Sequence, residues 1–408
     1  VGKLSVPQIK VANPRRAASI VAAEYYGNPT KDLIVLGITG TNGKTTTASL
    51  LYSILKNAGH KTAQLGTLGT IADGFNQAAT LTTPDSISLQ KTFSELRDAD
   101  FSHIVMEVSS HALDQYRVAD VEFDVALFTN LTPEHLDYHA SIEAYYQAKA
   151  RLFRMLPLES TAIVNESDPN GLRMAEETNA PTLTFSRSNG DSIHFSDLNI
   201  SISGIHGKII AGHITYEIGS SLVGEFNAEN ILGAVSVAHA LGIEKEMIED
   251  GIKKCSAIPG RMESFPLANG AKAIIDYAHT PDAYEKVLGT LKEVSLDDSY
   301  LYVVFGAGGD RDASKRPEMA RIAEIFATHC FVTPDNPRTE DPDQISKEII
   351  GGFSGSNFTV FKDRRAGLED ALNRSEKNDI VAILGKGREE YQDIKSKKEF
   401  YSDLEIIR

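Results

Sequence analysis

Three glycines, a lysine and a run of threonines stand close together in Gly37-Ile38-Thr39-Gly40-Thr41-Asn42-Gly43-Lys44-Thr45-Thr46-Thr47. An apolar run, Leu33 to Ile38, leads in. A helical pattern follows, with Leu50, Leu51, Ile54 and Leu55 on one face and Gly59 as a stop. Strand, glycine loop, Lys-Thr and helix is the order that wraps backbone N–H groups around a phosphate chain. Lys44 is spaced to reach β- and γ-phosphates, and the Thr45 hydroxyl to reach Mg²⁺. Gly40, Thr41, Asn42, Gly43 and Thr46 complete the candidate ATP loop. The spacing departs from the usual P-loop, because Ile38 and not Gly stands five positions before Gly43.

Other polar clusters carry weaker chemistry. Glu107 ends the run Ile104-Val105-Met106, where a carboxylate facing a P-loop can hold Mg²⁺ directly or through water. Thr132-Pro133-Glu134-His135-Leu136-Asp137-Tyr138-His139 is dense in ligand-type groups. Two histidines four apart could bind a transition metal; one imidazole on Mg²⁺, with His135 preferred, is the better reading, and helix capping by Thr132 or Asp137 competes with it. Lys149 falls in the helical run Ile142–Leu156 among aromatic residues and by pattern is a snorkelling lysine. The Asn227 and Asn230 amides can present donor and acceptor to an adenine edge, or Asn227 can cap the following helix. Gly306-Ala307-Gly308-Gly309-Asp310-Arg311 resembles a phosphate loop. Asp335-Asn336-Pro337-Arg338 offers either a guanidinium fork for a carboxylate or a type I turn with a surface Arg. Gly385-Lys386-Gly387-Arg388-Glu389 reads as a binding loop or a solvated charge cluster.

These segments need elements to hold them. Residues 1–31 predict one helix, from Pro14 to Tyr26, and a linker. From Leu33 onward, β-like runs (Leu33–Ile38, Ile104–Val108, Val125–Phe128, Ala162–Val164) alternate with helical ones, as in a mostly parallel sheet covered by helices. Residues 191–222 are turn-rich and alternating, in Ile200–Gly204, Lys208–Gly212 and His213–Ile218, and predict a small antiparallel patch. A helix is expected over 228–242. A second series, Ala273–Asp276, Leu301–Phe305, Cys330–Thr333 and Ile380–Leu384, predicts a C-terminal Rossmann-like α/β domain, with helices over 282–292, 315–327 and 364–375. The expected division is 1–31, 32–262 and 263–408, turning near Ile258-Pro259-Gly260-Arg261. Nearly every strand runs into a chemically loaded segment, and open α/β sheets bind ligands beyond those ends. Two lobes facing one cleft follow.

At 408 residues the chain can bury two or three cores. A net charge of -15 argues against duplex nucleic acid or an anionic membrane as main partner. Cys255 and Cys330 are the two cysteines and suggest neither a disulfide framework nor a metal finger. No apolar stretch is long enough to span a bilayer and no signal peptide is evident, so the cytoplasm is expected. The chain begins at Val1, so a segment upstream is expected to be absent.

Together these motifs resemble the Mur ligase superfamily, and within it the MurE type. The resemblance rests on Gly40–Thr46, Met106-Glu-Val-Ser-Ser-His111, Thr129–His139, Gly260-Arg-Met-Glu263, Asp276-Tyr-Ala-His-Thr-Pro281, Gly308-Gly-Asp-Arg311, Lys315-Arg-Pro317, Asp335-Asn-Pro-Arg338 and Gly385-Lys-Gly387, in one order over residues 30–408. It implies an ATP-dependent amide ligase of peptidoglycan synthesis. Lys44 and Thr45 would serve ATP and Mg²⁺; Glu107 and His135 would be Mg²⁺ ligands; Lys149 would be a carbamylated lysine (N6-carboxylysine) adding oxygens to the metal site. Asn230, Arg261 and Asp276 would grip adenine, phosphate and ribose, and Thr82, Thr83, Ser109 and Arg117 the UDP-muramoyl dipeptide. Arg311, Asn336, Arg338, Gly385 and Glu389 match the pocket of relatives that add meso-diaminopimelate. The physics agrees: this amino acid carries a distal carboxylate that lysine lacks, Arg338 can pair with it, and lysine would leave that Arg unpaired at a cost of about 1–3 kcal/mol. Glu389 can take an ammonium. A monomer is expected.

Two features depart from the family. Its members carry a whole N-terminal uridine-binding domain, whereas only residues 1–31 precede the sheet here, so a fragment or a natural short form is expected. Arg388 stands where many MurE enzymes have His, which changes the charge near the pocket. The alternatives are a Mur-like ligase acting on a free muropeptide or γ-glutamyl acceptor, and a nucleotide-binding scaffold without turnover.

Overall fold

The computed structural model describes residues 9–78, 81–187, 190, 192–201 and 204–408. Residues 1–8 of the expected N-terminal segment, Asp191 of the expected patch, and Ile202 and Ser203 of its first run lie outside the described residues.

Ten strands form the first sheet: β1 (Ile34–Thr39), β2 (Thr62–Gly66), β3 (Gly69–Ile71), β4 (His103–Glu107), β5 (Val125–Phe128), β6 (Thr161–Asn165), β7 (Thr182–Ser186), β8 (Ile193–Ser201), β9 (Gly204–Ala211) and β10 (Ile214–Ser220). Their order is β10-β9-β8-β7-β6-β5-β1-β4-β2-β3. The strands from β2 to β8 in that order pair in parallel, while β3, β9 and β10 pair antiparallel. Central strands such as β1 and β4 are buried along nearly their whole length and apolar through their middles, because helices cover both faces. Two apolar cores result: Leu50, Leu51, Ile54 and Leu55 of the helix Lys44–Asn57 enter one, and Tyr145, Tyr146, Leu152 and Phe153 of the helix Ile142–Arg154 the other. The antiparallel portion continues the same sheet. Of the turn-rich run Ile200–Gly204, Ile200 and Ser201 close β8 and Gly204 opens β9.

The second sheet holds β11 (Glu263–Pro266), β12 (Lys272–Asp276), β13 (Leu301–Phe305), β14 (His329–Val332), β15 (Phe358–Val360) and β16 (Ile380–Leu384), in the order β11-β12-β16-β13-β14-β15. All its pairs are parallel except β11 with β12. Helices Pro281–Val294, Lys315–Phe326 and Arg364–Arg374 stand at the expected places. Asp363 and Thr280 cap two of them, accepting from Ala366 N and Ala283 N. A hairpin, β17 (Tyr391–Ile394) and β18 (Lys397–Phe400), follows β16.

Each sheet reverses its strand order beside a loaded loop. In the first sheet β1 lies between β4 and β5, and the glycine loop leaves its carboxyl end. In the second, β16 lies between β12 and β13. Such switch points open crevices for ligands. Among the described residues no helix is long and apolar enough to cross a membrane.

Candidate active site

A cleft of about 800 Å³ separates the two sheets. The first lobe contributes Thr41–Thr46, Thr82, Glu107, Ser109, His135 and Asn230, the turn between the lobes Arg261, and the second lobe Asp276, Arg311, Asn336, Arg338, Gly385 and Glu389. The segments singled out in the sequence therefore converge on one space. Gly40, Thr83, Arg117 and Lys149 stand behind its wall: Thr83 and Lys149 are buried, and Arg117 is half-buried with one nitrogen 2.8 Å from the Thr83 carbonyl.

The glycine loop has the backbone its residues allow. Gly40 (φ +151°) and Gly43 (φ +87°) adopt conformations that side chains disfavour, and a Cβ at either would collide with Thr129 Oγ1 or Asn230 Oδ1. Asn130 braces the loop, accepting from Asn42 N at 2.9 Å and donating to Asn42 O at 3.1 Å. Thr45, in the first turn of the helix, donates to Glu107 Oε2 at 3.0 Å. The other Glu107 oxygen accepts from Thr67 N at 2.8 Å. Arg261, from the turn between the lobes, donates to Thr45 Oγ1 at 3.1 Å.

Lys44 Nζ lies 2.8 Å from the carbonyls of Gly40 and Thr41, and Lys149 Nζ lies 2.8 Å from the same Gly40 oxygen. Two amines thus share one carbonyl in a buried place. Burial lowers the Lys44 ammonium. Burial, reinforced by the neighbouring Lys44 charge, holds Lys149 well below the ordinary lysine range. Lys149 does not snorkel: it is 1% exposed, with its amine over the Tyr145 ring.

His135 has φ +55° and precedes the short helix Leu136–His139. Neither Thr132 nor Asp137 caps that helix, since no side chain does and Thr132 N instead donates to Thr41 Oγ1. The two histidines part company: His135 lines the cleft, while His139 is buried against Ser110 Oγ at 3.0 Å. Burial lowers both to about 4. Among the described residues no three His, Cys, Asp or Glu side chains converge to chelate a metal. A transition-metal cage is therefore absent there. Thr45 and Glu107 are in contact and His135 lines the same cleft, so oxygen donors of the kind a hard cation takes are present there.

Sequence reasoning gave no role to the pair that links the lobes. Glu134 Oε1 accepts from or faces His279 Nε2 at 3.1 Å and lies 3.8 Å from His135 Nε2. Burial alone would raise Glu134, but the His279 hydrogen bond and the charges of His279, His135 and Lys44 hold it well below the usual carboxylate range. Asn42 reaches across as well, donating to Asp282 Oδ2 at 2.7 Å. Both pairs join segments more than a hundred residues apart, so no local spacing marks them.

Asn227 does not cap the helix Glu225–Ala240. Gly224 holds that position, and Asn227 donates to Val223 O at 2.8 Å and accepts from Asn230 Nδ2 at 3.1 Å. Asp276 takes Met262 N and Ala278 N, each at 2.7 Å, and burial raises its carboxyl.

In the second lobe, Arg338 is no surface turn residue. It is half-buried with φ +50°, its Nη1 donates to Gly309 O at 2.6 Å, and its backbone is clamped by Asp393 O and Lys395 N. Asn336 Nδ2 donates to Glu389 Oε2 at 2.8 Å. Lys386, fully buried, donates to Asn336 Oδ1 at 3.1 Å and Glu389 Oε2 at 3.3 Å. Its place inside Gly-Lys-Gly was the available signal. Gly385 (φ +106°) leaves no room for a Cβ beside Asp335 Oδ2. Arg311 is exposed at the cleft. Arg388 turns away from this pocket: its Nε donates to Glu263 Oε2 at 2.7 Å and its Nη2 to Glu263 Oε1, so its charge is neutralised.

Two α/β lobes that enclose a glycine loop and a polar cluster of Arg311, Asn336, Arg338 and Glu389 on one cleft define a class of two-lobed nucleotide-cleft proteins. Residues 38–238 match the family model for the Mur ligase middle domain, and residues 260–387 that for the Mur ligase, glutamate ligase domain. The chain is 40% identical to the UDP-N-acetylmuramoyl-L-alanyl-D-glutamate--2,6-diaminopimelate ligase of Geobacter metallireducens, over 98% of this chain and 82% of that protein. The ligase of the same name from Aquifex aeolicus is 39% identical over 99% and 82%. A solved structure of a ligase so named superposes with a TM-score of 0.67 at 31% identity, covering 98% of this chain and 84% of the other. Folylpolyglutamate synthase of Mycobacterium tuberculosis shares the fold, with a TM-score of 0.78 at 18% identity over 91% and 92%. The chain belongs to the Mur ligase family.

Proposed function

We infer that this chain is an ATP-dependent, ADP-forming amide ligase that adds meso-diaminopimelate to the D-glutamate of UDP-N-acetylmuramoyl-L-Ala-D-Glu. One observation carries the reading: the Lys44 loop of the first lobe and the Arg311, Asn336, Arg338 and Glu389 cluster of the second face the same cleft. Phosphoryl transfer and amine attack can then happen on one trapped intermediate. We divide the chain into a linker (1–31), an ATP-binding lobe (32–262) and an amino-acid lobe (263–408), acting as a monomer in the cytoplasm.

In this mechanism the acceptor carboxylate attacks the γ-phosphorus of ATP, forming an acyl phosphate and releasing ADP. The amine of diaminopimelate then attacks the carbonyl carbon, its proton is lost, and inorganic phosphate leaves. Gly40–Thr46 hold the phosphates through backbone N–H groups, with Lys44 against the charge that moves onto ADP. Asn230 and Asp276 hold adenine and ribose, and Arg261 a phosphate. Thr82 and Ser109 position the muramoyl dipeptide from the cleft wall, with Thr83 and Arg117 supporting them from behind. Arg338 and Arg311 take the distal carboxylate of diaminopimelate, Glu389 its ammonium, and Asn336 and Gly385 its backbone.

Thr45, Glu107 and His135 would hold Mg²⁺, with Lys149 as carbamate adding oxygens. The ion, when bound, supplies neutralisation of phosphate charge. Lys149 supports this in its own right: an uncharged buried amine is the form that attacks carbon dioxide, and Lys44 beside it favours that form over the ammonium. The carbamate would then pair with Lys44.

The test measures ADP release by the intact chain with ATP, Mg²⁺ and the UDP-muramoyl dipeptide, with meso-diaminopimelate or L-lysine as amine. Release that depends on both acceptor and diaminopimelate is expected. Turnover with neither, or binding of ATP without turnover, refutes the assignment.

A further inference from the structure

The turn that carries Arg261 is held by two carboxylates. Glu263 Oε2 accepts from Gly260 N at 2.8 Å, and Asp276 Oδ2 accepts from Met262 N at 2.7 Å. Gly260 (φ +67°) and Met262 (φ +47°) both lie in the left-handed region, which strains the Met262 backbone, and the two carboxylates hold the turn together with the backbone bonds from Arg261 N to Ile258 O and from Tyr277 N to Gly260 O. From it Arg261 extends to Thr45 Oγ1, in the helix that follows the glycine loop.

The same Glu263 carboxylate is the partner of Arg388, in the loop that ends at Glu389. The pair is bidentate and mostly buried, with side chains 10% and 29% exposed. The two loops also touch directly: a Cβ on Gly260 would meet Arg388 N at 3.0 Å and the Gly387 Cα at 3.1 Å. Tyr277 forms a third link. The Arg261 guanidinium stands 4.9 Å above its ring, Gly387 abuts the ring's edge, and its hydroxyl lies 3.5 Å from Glu389 Oε1.

We propose that Arg388 and Glu263 are positioning residues that couple nucleotide binding to amino-acid binding. The loop Gly385–Glu389 cannot shift onto an incoming ammonium without moving Glu263, and Glu263 sets where Arg261 points. An amino acid on Glu389 therefore stiffens the turn that meets the nucleotide, and by linkage the nucleotide stiffens the loop that meets the amino acid. The inference rests on the proposed function for the identity of both ligands.

Calorimetric titration of the intact chain with a non-hydrolysable ATP analogue and Mg²⁺, with and without saturating meso-diaminopimelate, tests it. In the parent the amino acid is expected to tighten analogue binding by about fivefold or more. In Arg388→Ala the shift falls below about twofold, and Arg388→Lys, which keeps the charge but not the fork, restores part of it. Glu263→Gln, read in the same way, loses the shift too, and circular dichroism confirms that each variant is folded. A parent with no shift, or an Arg388→Ala variant that keeps the parent's shift, overturns the proposal. Failure of the function itself looks different: the parent then binds the analogue but releases no ADP with the muramoyl dipeptide and diaminopimelate.

Discussion

Replacing Arg338 by alanine is expected to cut the use of diaminopimelate far more than the use of ATP. The side chain is half-buried at the cleft, and its backbone is fixed independently of its guanidinium by Asp393 O at 2.8 Å and Lys395 N at 2.6 Å. Truncation therefore removes the fork and leaves the loop in place. A hydrogen bond to a charged group is worth about 1.5–3 kcal/mol, which at about 1.4 kcal/mol per decade predicts a fall in kcat/KM for diaminopimelate of roughly tenfold to 150-fold. Lysine has no carboxylate at that position and in the variant leaves no guanidinium unpaired, so its turnover does not fall and the selectivity ratio shrinks by at least the same factor. Arg338→Lys keeps a positive charge without the planar fork and falls between the two. The assay couples ADP release to NADH oxidation, with each amine varied at saturating ATP and acceptor. The reasoning is refuted if the parent uses lysine as well as diaminopimelate, or if Arg338→Ala raises the KM for ATP as much as that for the amino acid.

Lys44→Ala abolishes ADP release while the protein stays folded, because among the described residues the amine's hydrogen bonds go to the loop's own carbonyls; normal turnover would remove the phosphate role. Lys149→Ala is nearly inactive and is partly restored by a small carboxylate such as formate, and undiminished activity would end the carbamate idea. Asp403→Asn leaves the buried Arg364 guanidinium, now paired at 2.9 Å, without its counter-charge, and costs about 3–5 kcal/mol, read as a lower urea midpoint at constant slope. Stability falls as the pH drops from about 6.5 towards 4. Burial, with the His60 charge adding, keeps His103 neutral in the fold down to about 4, whereas the unfolded chain takes up the proton near 6.5. Melting temperatures across that window check the sign, and His103→Gln flattens the slope.

Local pattern fixed the elements well where it was strong. The runs Val125–Phe128, Leu301–Phe305 and Ile380–Leu384 are strands over the same residues, since an apolar β-branched run of that length has few other outlets in an α/β chain. The glycine loop was legible because Gly40 and Gly43 have a backbone reason to be glycine. Patterns that depend on what lies opposite were not legible. Lys149 looked like any helical lysine; its meaning comes from Gly40 O and Lys44, both far away in sequence. Arg388 looked like a disturbance of the pocket, and only the fold revealed Glu263 beneath it.

The amino-acid order by itself settled which segments carry reactive groups and that most of them follow a strand, because those features are set within a few residues. What only the tertiary structure decided is which groups face each other: Glu134 with His279, Arg261 with Thr45, and two amines on one carbonyl. Charge interactions act through space and depend on burial, and neither separation nor burial is written in local spacing.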